Sequence, residues 1–336
     1  MKSPIRNSLS SQAGFTLVEI MVGLVIGLLA SVVIMQVFSV FEAQKRTTTG
    51  TSDAQTNGGI ALYNITREMQ MAGYPLMPVA DSPLECIALT IDGAADTPAR
   101  LSPVSIADNT SDTITIRYGD SAGGGSPSKI TAMNAPSPID VNVDSNLGCT
   151  QGDRTLIVNG TNCFMATASE VQAPSRVQLT NITGAAPNLD LSCLGNWNEI
   201  SYSVNNGNLE RDNTPAIAGD GVAAVGGIVN LQAQYGISAA ATSNTIVGWV
   251  DASGGTWPPP TVANRNLIKA IRIAVVARNA KREPEVVTPA PLTVWAGATT
   301  IDLTASIADW DHYRYRTFET IIPLRNVFWA KGSLTP

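Results

Sequence analysis

A long apolar run starting at Phe15 sets the pattern of this chain. One carboxylate, Glu19, breaks it at its fifth position. From residue 20 to residue 40 no charge follows, and Ser31, Gln36 and Ser39 are the only clearly polar side chains. As a helix those 21 residues rise about 31 Å at ~1.5 Å per residue, close to the ~30 Å of a bilayer's hydrocarbon core. The pattern predicts a single membrane span over about 15–41. Past Glu42 the chain turns polar, and helical spacing then returns. Ala61, Ile65, Met69 and Ala72 fall on one face with Leu62 beside them, while Arg67 and Glu68 lie away from it. Gly73, followed by Tyr74-Pro75, predicts the helix stop. Thr47 to Thr49 and the pair Gly58-Gly59 are weak points where such a helix frays or bends.

Beyond Pro75 the apolar runs are short and densely punctuated, which predicts strands and turns. Strands are expected over 85–91, 112–118, 155–158, 163–168 and 176–182. In the second of these, Ile114, Ile116 and Tyr118 alternate with Thr113, Thr115 and Arg117, the period-two pattern of a half-buried strand. Residues 199–211 read as a hairpin around Asn206-Gly207. Further strands are expected at 228–233 and 268–278. Residues 119–129, with Gly123-Gly124-Gly125, read as a flexible loop. Residues 236–264 read as an insertion loop, in which Trp249, Trp257 and the prolines 258–260 present aromatic surface, more readily explained by loop packing than by a partner. The expected fold class is α+β: a long N-terminal helix and a β-rich head of antiparallel strands.

Charge changes the picture at the N-terminus. The leader carries Lys2 and Arg6 and no acid, which places it on the cytoplasmic side by the positive-inside rule. A cleaved secretory signal fits poorly, because the apolar run exceeds an h-region and no small-x-small site closes it. A plain signal anchor explains the span but not Glu19, since a carboxylate within a membrane segment is costly and usually has a partner or a function. The stretch Gly14-Phe15-Thr16-Leu17-Val18-Glu19 resembles the processing motif of type IV prepilins. The resemblance implies cleavage by prepilin peptidase between Gly14 and Phe15, N-methylation of the new Phe15 amine, and pairing of Glu19 with that amine in a neighbouring subunit. Residues 1–14 are then a leader, 15–74 the pilin helix and 75–336 the head.

Tyr313-Arg314-Tyr315-Arg316-Thr317-Phe318-Glu319, continuing through Pro323-Leu324-Arg325-Asn326, resembles the closing motif of PilW-type minor pilins. That family resemblance implies an inner-membrane protein with a periplasmic head, later carried into a pilus at or near its tip. The implied partners are other minor pilins, the major pilin and a tip adhesin. The processes such a pilus serves are adhesion and twitching motility. A J-type minor pseudopilin of a type II secretion system shares the architecture. A signal-anchored periplasmic or adhesive binding protein is the alternative of another class.

Composition adds bounds rather than identity. Net charge is −6 and only 14% of residues are charged, so no basic field points to nucleic acid. Four cysteines, Cys86, Cys149, Cys163 and Cys193, follow the span on the exported side, where disulfides persist. Three connectivities are open. Cys149 and Cys163 would sit at opposite ends of a 155–168 hairpin, which disfavours that pair. No CxxC occurs and the single histidine, His312, is remote in sequence, so no metal, cofactor or histidine-based catalysis is expected. The loop aspartates Asp81, Asp92, Asp96, Asp108 and Asp112 match no calcium loop. The expectation is a non-enzyme.

Overall fold

The computed structural model describes residues 14–76, 86–96, 101–134, 139–182, 184–213, 221–254, 257, 260–304 and 306–329. Lys2, Arg6, Asp81, Glu85 at the expected start of the first strand, and Pro258-Pro259 lie outside the described residues. The chain divides into two compact units, Met1–Gly50 and Thr51–Pro336, with the boundary inside the first helix.

That helix, α1 (Leu17–Met69), runs 53 residues without a break. The expected weak points do not interrupt it. In the first unit its polar side chains satisfy themselves on the helix: Ser31 Oγ donates to the Gly27 carbonyl at 2.8 Å and Thr48 Oγ1 to that of Gln44 at 2.9 Å. Every large apolar side chain from Phe15 to Phe41 is exposed, as a helix long and apolar enough to cross a membrane requires.

In the second unit the strands run β1 (Ala88–Ile91), β2 (Ala94–Asp96), β3 (Val104–Ala107), β4 (Thr113–Tyr118), β5 (Ser128–Asn134), β6 (Ile139–Val143) and β7 (Arg154–Asn159). They continue as β8 (Asn162–Gln172), β9 (Arg176–Leu179), β10 (Asp190–Gly195), β11 (Asn198–Asn205), β12 (Asn208–Asp212) and β13 (Val222–Gly226). Then come β14 (Ile228–Ser238), β15 (Ile246–Val250), α2 (Val262–Leu267), β16 (Ile268–Arg278), β17 (Leu292–Val294), β18 (Thr299–Ile301), β19 (Tyr315–Pro323) and α3 (Arg325–Trp329).

Among the described residues the head has three larger sheets and a two-stranded one, β17-β18. A five-stranded sheet has order β13-β12-β11-β4-β3, and a four-stranded sheet has order β15-β14-β16-β19. Both pack on α1, whose Ala61, Ile65 and Met69 are fully buried with Ile114, Ile116, Tyr202, Leu231, Tyr235, Ile271 and Ile273. The predicted helical face is therefore the buried one. The third sheet joins β2-β1-β8-β7-β10-β5-β6-β9, and an added β8–β9 pairing closes its last six strands into a small barrel. Ile130, Val141, Ile157, Ala166, Val177 and Leu191 belong to the separate core of these strands. Among the described residues all pairings are antiparallel except β1 with β8.

The Asn206-Gly207 hairpin and the 268–278 strand occur where expected. At Asn206 and Gly207 φ is +48° and +75°, as a two-residue primed turn demands. Two loop expectations change. The glycine-rich stretch is loop over 119–127, and only its last two residues, Ser128 and Lys129, enter β5. The supposed insertion at 236–264 contains the end of β14, all of β15 and the first half of α2. β15 pairs there because Gly236, opposite Trp249, leaves space for the indole; a Cβ would lie 2.7 Å from its Cζ3. The true insertion is the barrel. It leaves β4 and returns to β11, whose Tyr118 and Asn198 are paired neighbours.

Candidate functional site

The helix start is built from three residues. Gly14, Phe15 and Thr16 precede the helix, and Thr16 with Glu19 forms a reciprocal cap. The Glu19 N–H donates to Thr16 Oγ1 at 3.3 Å, while the Glu19 carboxylate accepts from the Thr16 N–H and hydroxyl, both at 3.0 Å. The spacing Thr-x-x-Glu before an apolar run is the signal in the sequence for this box. Phe15, immediately before the cap, is 85% exposed. Glu19 thus has dipolar partners within its own chain but no cation among the described residues.

The C-terminal motif is spread over the four-stranded sheet and ends on α1. Phe318 of β19 lies against Gly58, where a Cβ would fall less than 3 Å from three carbons of the ring. Gly58 is therefore a packing slot rather than the bend expected from its propensity. Leu324 is buried in the α1 core, and its N–H donates to the Lys269 carbonyl at 2.9 Å. Asn326 Nδ2 then reaches the Ala72 carbonyl at 3.0 Å and that of Met71 at 3.4 Å, satisfying acceptors just past the end of α1. Pro323, which has no N–H to donate, is the last residue of β19.

The other motif residues organise the outer face. Tyr313 carries the Arg278 guanidinium over its ring at 4.6 Å. Arg314 pairs with Glu283 at 3.5 Å. Glu319 accepts the Trp295 N–H at 2.9 Å. Arg316 and Arg325 are exposed. Arg272 of β16 lies between Trp249 and Trp295, 5.0 and 4.3 Å from their ring centroids, and bonds to Gln234. Trp257 instead packs on the core, 5.9 Å from Tyr235. Of the two tryptophans expected on an insertion loop, one clamps an arginine and the other fills a gap.

Glu68, expected to lie away from the buried face, is engaged. It accepts from Tyr118 Oη at 2.5 Å and Arg211 Nη2 at 3.0 Å, which ties α1 to β4 and β12. Burial and the Glu68 carboxylate together push the Tyr118 phenol upward. Asp112, expected as a loop aspartate, is 2% exposed at the seam of the two sheets and accepts the Ala233 N–H at 2.7 Å and the Asn109 N–H at 3.2 Å. Burial pushes its carboxyl up to about 7 against those two donors. Asp92 pairs with Arg154 at 2.6 Å.

The cysteines form Cys86–Cys163 and Cys149–Cys193, with Cα separations of 5.7 and 5.3 Å. The first ties the chain entering β1 to β8, and the second closes the approach to β7 onto β10. The disfavoured Cys149–Cys163 bond does not form. Cys163 sits at the turn end of the β7–β8 hairpin, opposite Val158. His312 Nδ1 bonds to the Glu283 carbonyl at 3.0 Å, a structural contact in which the ring nitrogen donates. Among the described residues no group of three or more His, Cys, Asp or Glu side chains could hold a metal ion.

A long helix with an apolar, acid-bearing start and a β-rich domain folded on its other end defines a pilin-like protein. Residues 9–35 match the prokaryotic N-terminal methylation motif, and residues 201–326 match the family described as Type IV Pilus-assembly protein W. The chain is thus similar to prepilins at its start and to the PilW family over residues 201–326, a stretch that supplies part of the head's contact with α1. A type IV-like pilin from Thermus thermophilus is 10% identical, covering 81% of this chain and 97% of its own, with a TM-score of 0.35. No curated protein matches the chain.

Proposed function

We propose that this protein is a minor pilin that enters a type IV pilus by subunit packing and carries out no turnover. The inner membrane holds the helix first, with the head in the periplasm. Prepilin peptidase cuts between Gly14 and Phe15, the Phe15 amine is methylated, and α1 then packs among the helices of other minor pilins and the major pilin. A β-rich head enlarged by a barrel would crowd a tightly packed shaft, which favours a place at or near the tip, beside an adhesin. The observation that carries this reading is the meeting of the two matched regions on one helix. The methylation-motif segment opens α1, and the PilW-type segment supplies the Phe318 and Asn326 contacts near its other end.

Glu19 is the assembly contact in this reading. Its cap with Thr16 supplies dipoles but no countercharge, so the carboxylate still costs free energy in hydrocarbon. A neighbour's Phe15 amine supplies the cation and fixes the register between subunits. The cap allows a clean test. Glu19→Gln keeps the capping box, because glutamine also fills that position, and removes the charge. The expected result is normal insertion and cleavage, a methylated Phe15 terminus by mass spectrometry, and loss of the subunit from sheared pili. Recovery of E19Q in pili at the wild-type level overturns the charge-pairing role; a mature N-terminus that still carries the leader overturns the pilin reading altogether.

A further inference from the structure

A cleft of about 370 Å³ opens where five parts of the second unit meet: the β3–β4 loop, the β11–β12 turn, the start of β14, the end of β16 and the pair Ser306-Ile307. Its polar lining comprises Thr110, Ser111, Asn206, Asn230, Arg278 and Ser306. No acidic side chain lines it. Arg278 is the one cation in the lining, and its guanidinium makes no hydrogen bond or ion pair with the described residues. Its contact is the Tyr313 ring, 4.6 Å away, which fixes the plane of the fork and leaves its donor edge unused. The edge lies beneath the Asn206-Gly207 turn: Nη2 is 4.0 Å from where a Gly207 Cβ would stand.

Much of the surrounding polar framework is already bonded, which makes it a built wall. Asn230 Nδ2 donates to the Thr110 carbonyl at 2.8 Å, and the Leu231 N–H donates to Ser111 Oγ at 3.0 Å. The arginine fork is the strongest donor set left over. We infer that this cleft binds a carboxylate, held by the Arg278 fork and flanked by the neutral hydroxyl and amide groups of Thr110, Asn206 and Ser306. One cation in a neutral polar lining matches a monoanion. A phosphate dianion is better served by several cations or a helix N-terminus, and neither lines this cleft. The volume is at the small end of ligand pockets, enough for a sugar acid or for one acidic side chain of another protein. The inference does not depend on the pilus reading.

The test uses the full-length protein in detergent micelles with ¹⁵N-labelled arginine, following the Arg278 Nε–H signal, which is assigned by its loss in Arg278→Gln. D-glucuronate, D-glucose, inorganic phosphate and N-acetylglutamate amide are titrated separately. A saturable shift with one or both carboxylates, at a Kd of ~1 mM or below, is expected, with no response to glucose. Ser306 is exposed, so Ser306→Tyr should narrow the cleft while the fold, checked by near-UV circular dichroism, is kept; the shift should be lost. Arg278→Lys, followed by calorimetry, should weaken binding several-fold. A stronger response to glucuronate assigns a sugar acid, and a stronger one to N-acetylglutamate amide assigns a protein acid. The inference is overturned by no saturable shift with either carboxylate, by a shift that survives in folded S306Y, or by equal or tighter binding of glucose or phosphate.

Discussion

The contact between Gly58 and Phe318 predicts a change of sign that helix propensity alone does not. In an exposed helix interior, glycine to alanine stabilises by ~1 kcal/mol. At Gly58 the new methyl would overlap three carbons of the Phe318 ring, with Cζ at 2.7 Å and two others closer. Relief requires the ring to retreat by roughly 1 Å out of a packed site, at a cost of ~1–3 kcal/mol. Gly58→Ala alone should therefore be neutral to destabilising by ~2 kcal/mol. Phe318 is only partly buried, so Phe318→Ala should cost ~2 kcal/mol, below the usual range for a fully buried phenylalanine. In the Phe318→Ala background the overlap is gone, and Gly58→Ala should then stabilise by ~1 kcal/mol. The double-mutant cycle thus carries a coupling of ~1–3 kcal/mol. Denaturant unfolding of the head in full-length, micelle-bound protein, followed by tryptophan fluorescence, reads all four corners. If Gly58→Ala stabilises the parent by as much as it stabilises Phe318→Ala, the slot does not exist and Gly58 is only a weak helix position.

Two other perturbations probe how the sheets are held. Glu68→Ala strips the acceptor from Tyr118 and Arg211 and should lower head stability by ~1–3 kcal/mol in the same unfolding measurement, whereas Glu68→Gln should retain part of it. Asp112 should make stability fall as pH rises. Its folded pKa of about 7 lies above the ordinary carboxylate value of 3.8, so the folded state holds the extra proton between those values, and ionisation works against the fold as pH climbs through 7. Between pH 5 and pH 8 the wild type should lose about 2 kcal/mol more than Asp112→Asn. Parallel pH profiles for the two proteins would remove the carboxylate from the seam between the sheets.

What could be read from the chain and what could not divide along a physical line. α1, the Asn206-Gly207 hairpin and the 268–278 strand announce themselves through local chemistry: apolar period, turn residues and β-branched runs. Gly14, Phe15 and Glu19, inside the matched methylation motif, are legible for the same reason, being consecutive or nearly so. The packing role of Gly58 is not legible because propensity describes the isolated helix, while its partner Phe318 is 260 positions away. Asn326 was singled out by resemblance, and its bonds to the end of α1 could not be anticipated from either segment alone. The barrel was hidden for a related reason. β7, β8 and β9 are legible one at a time, but the barrel closes through β8–β9 and β10–β5 pairings that no local pattern encodes. It is inserted between two neighbouring strands, β4 and β11, outside the two matched regions. Because entry and exit are adjacent, the five-stranded sheet can be completed around α1 whatever the insert contains. The contacts that tie the head to α1 through Phe318, Leu324 and Asn326 come from the PilW-like stretch, while both disulfides lie on the insert or hold it to β1. That separation lets the insert vary in sequence and shape without disturbing the contacts between α1 and the head.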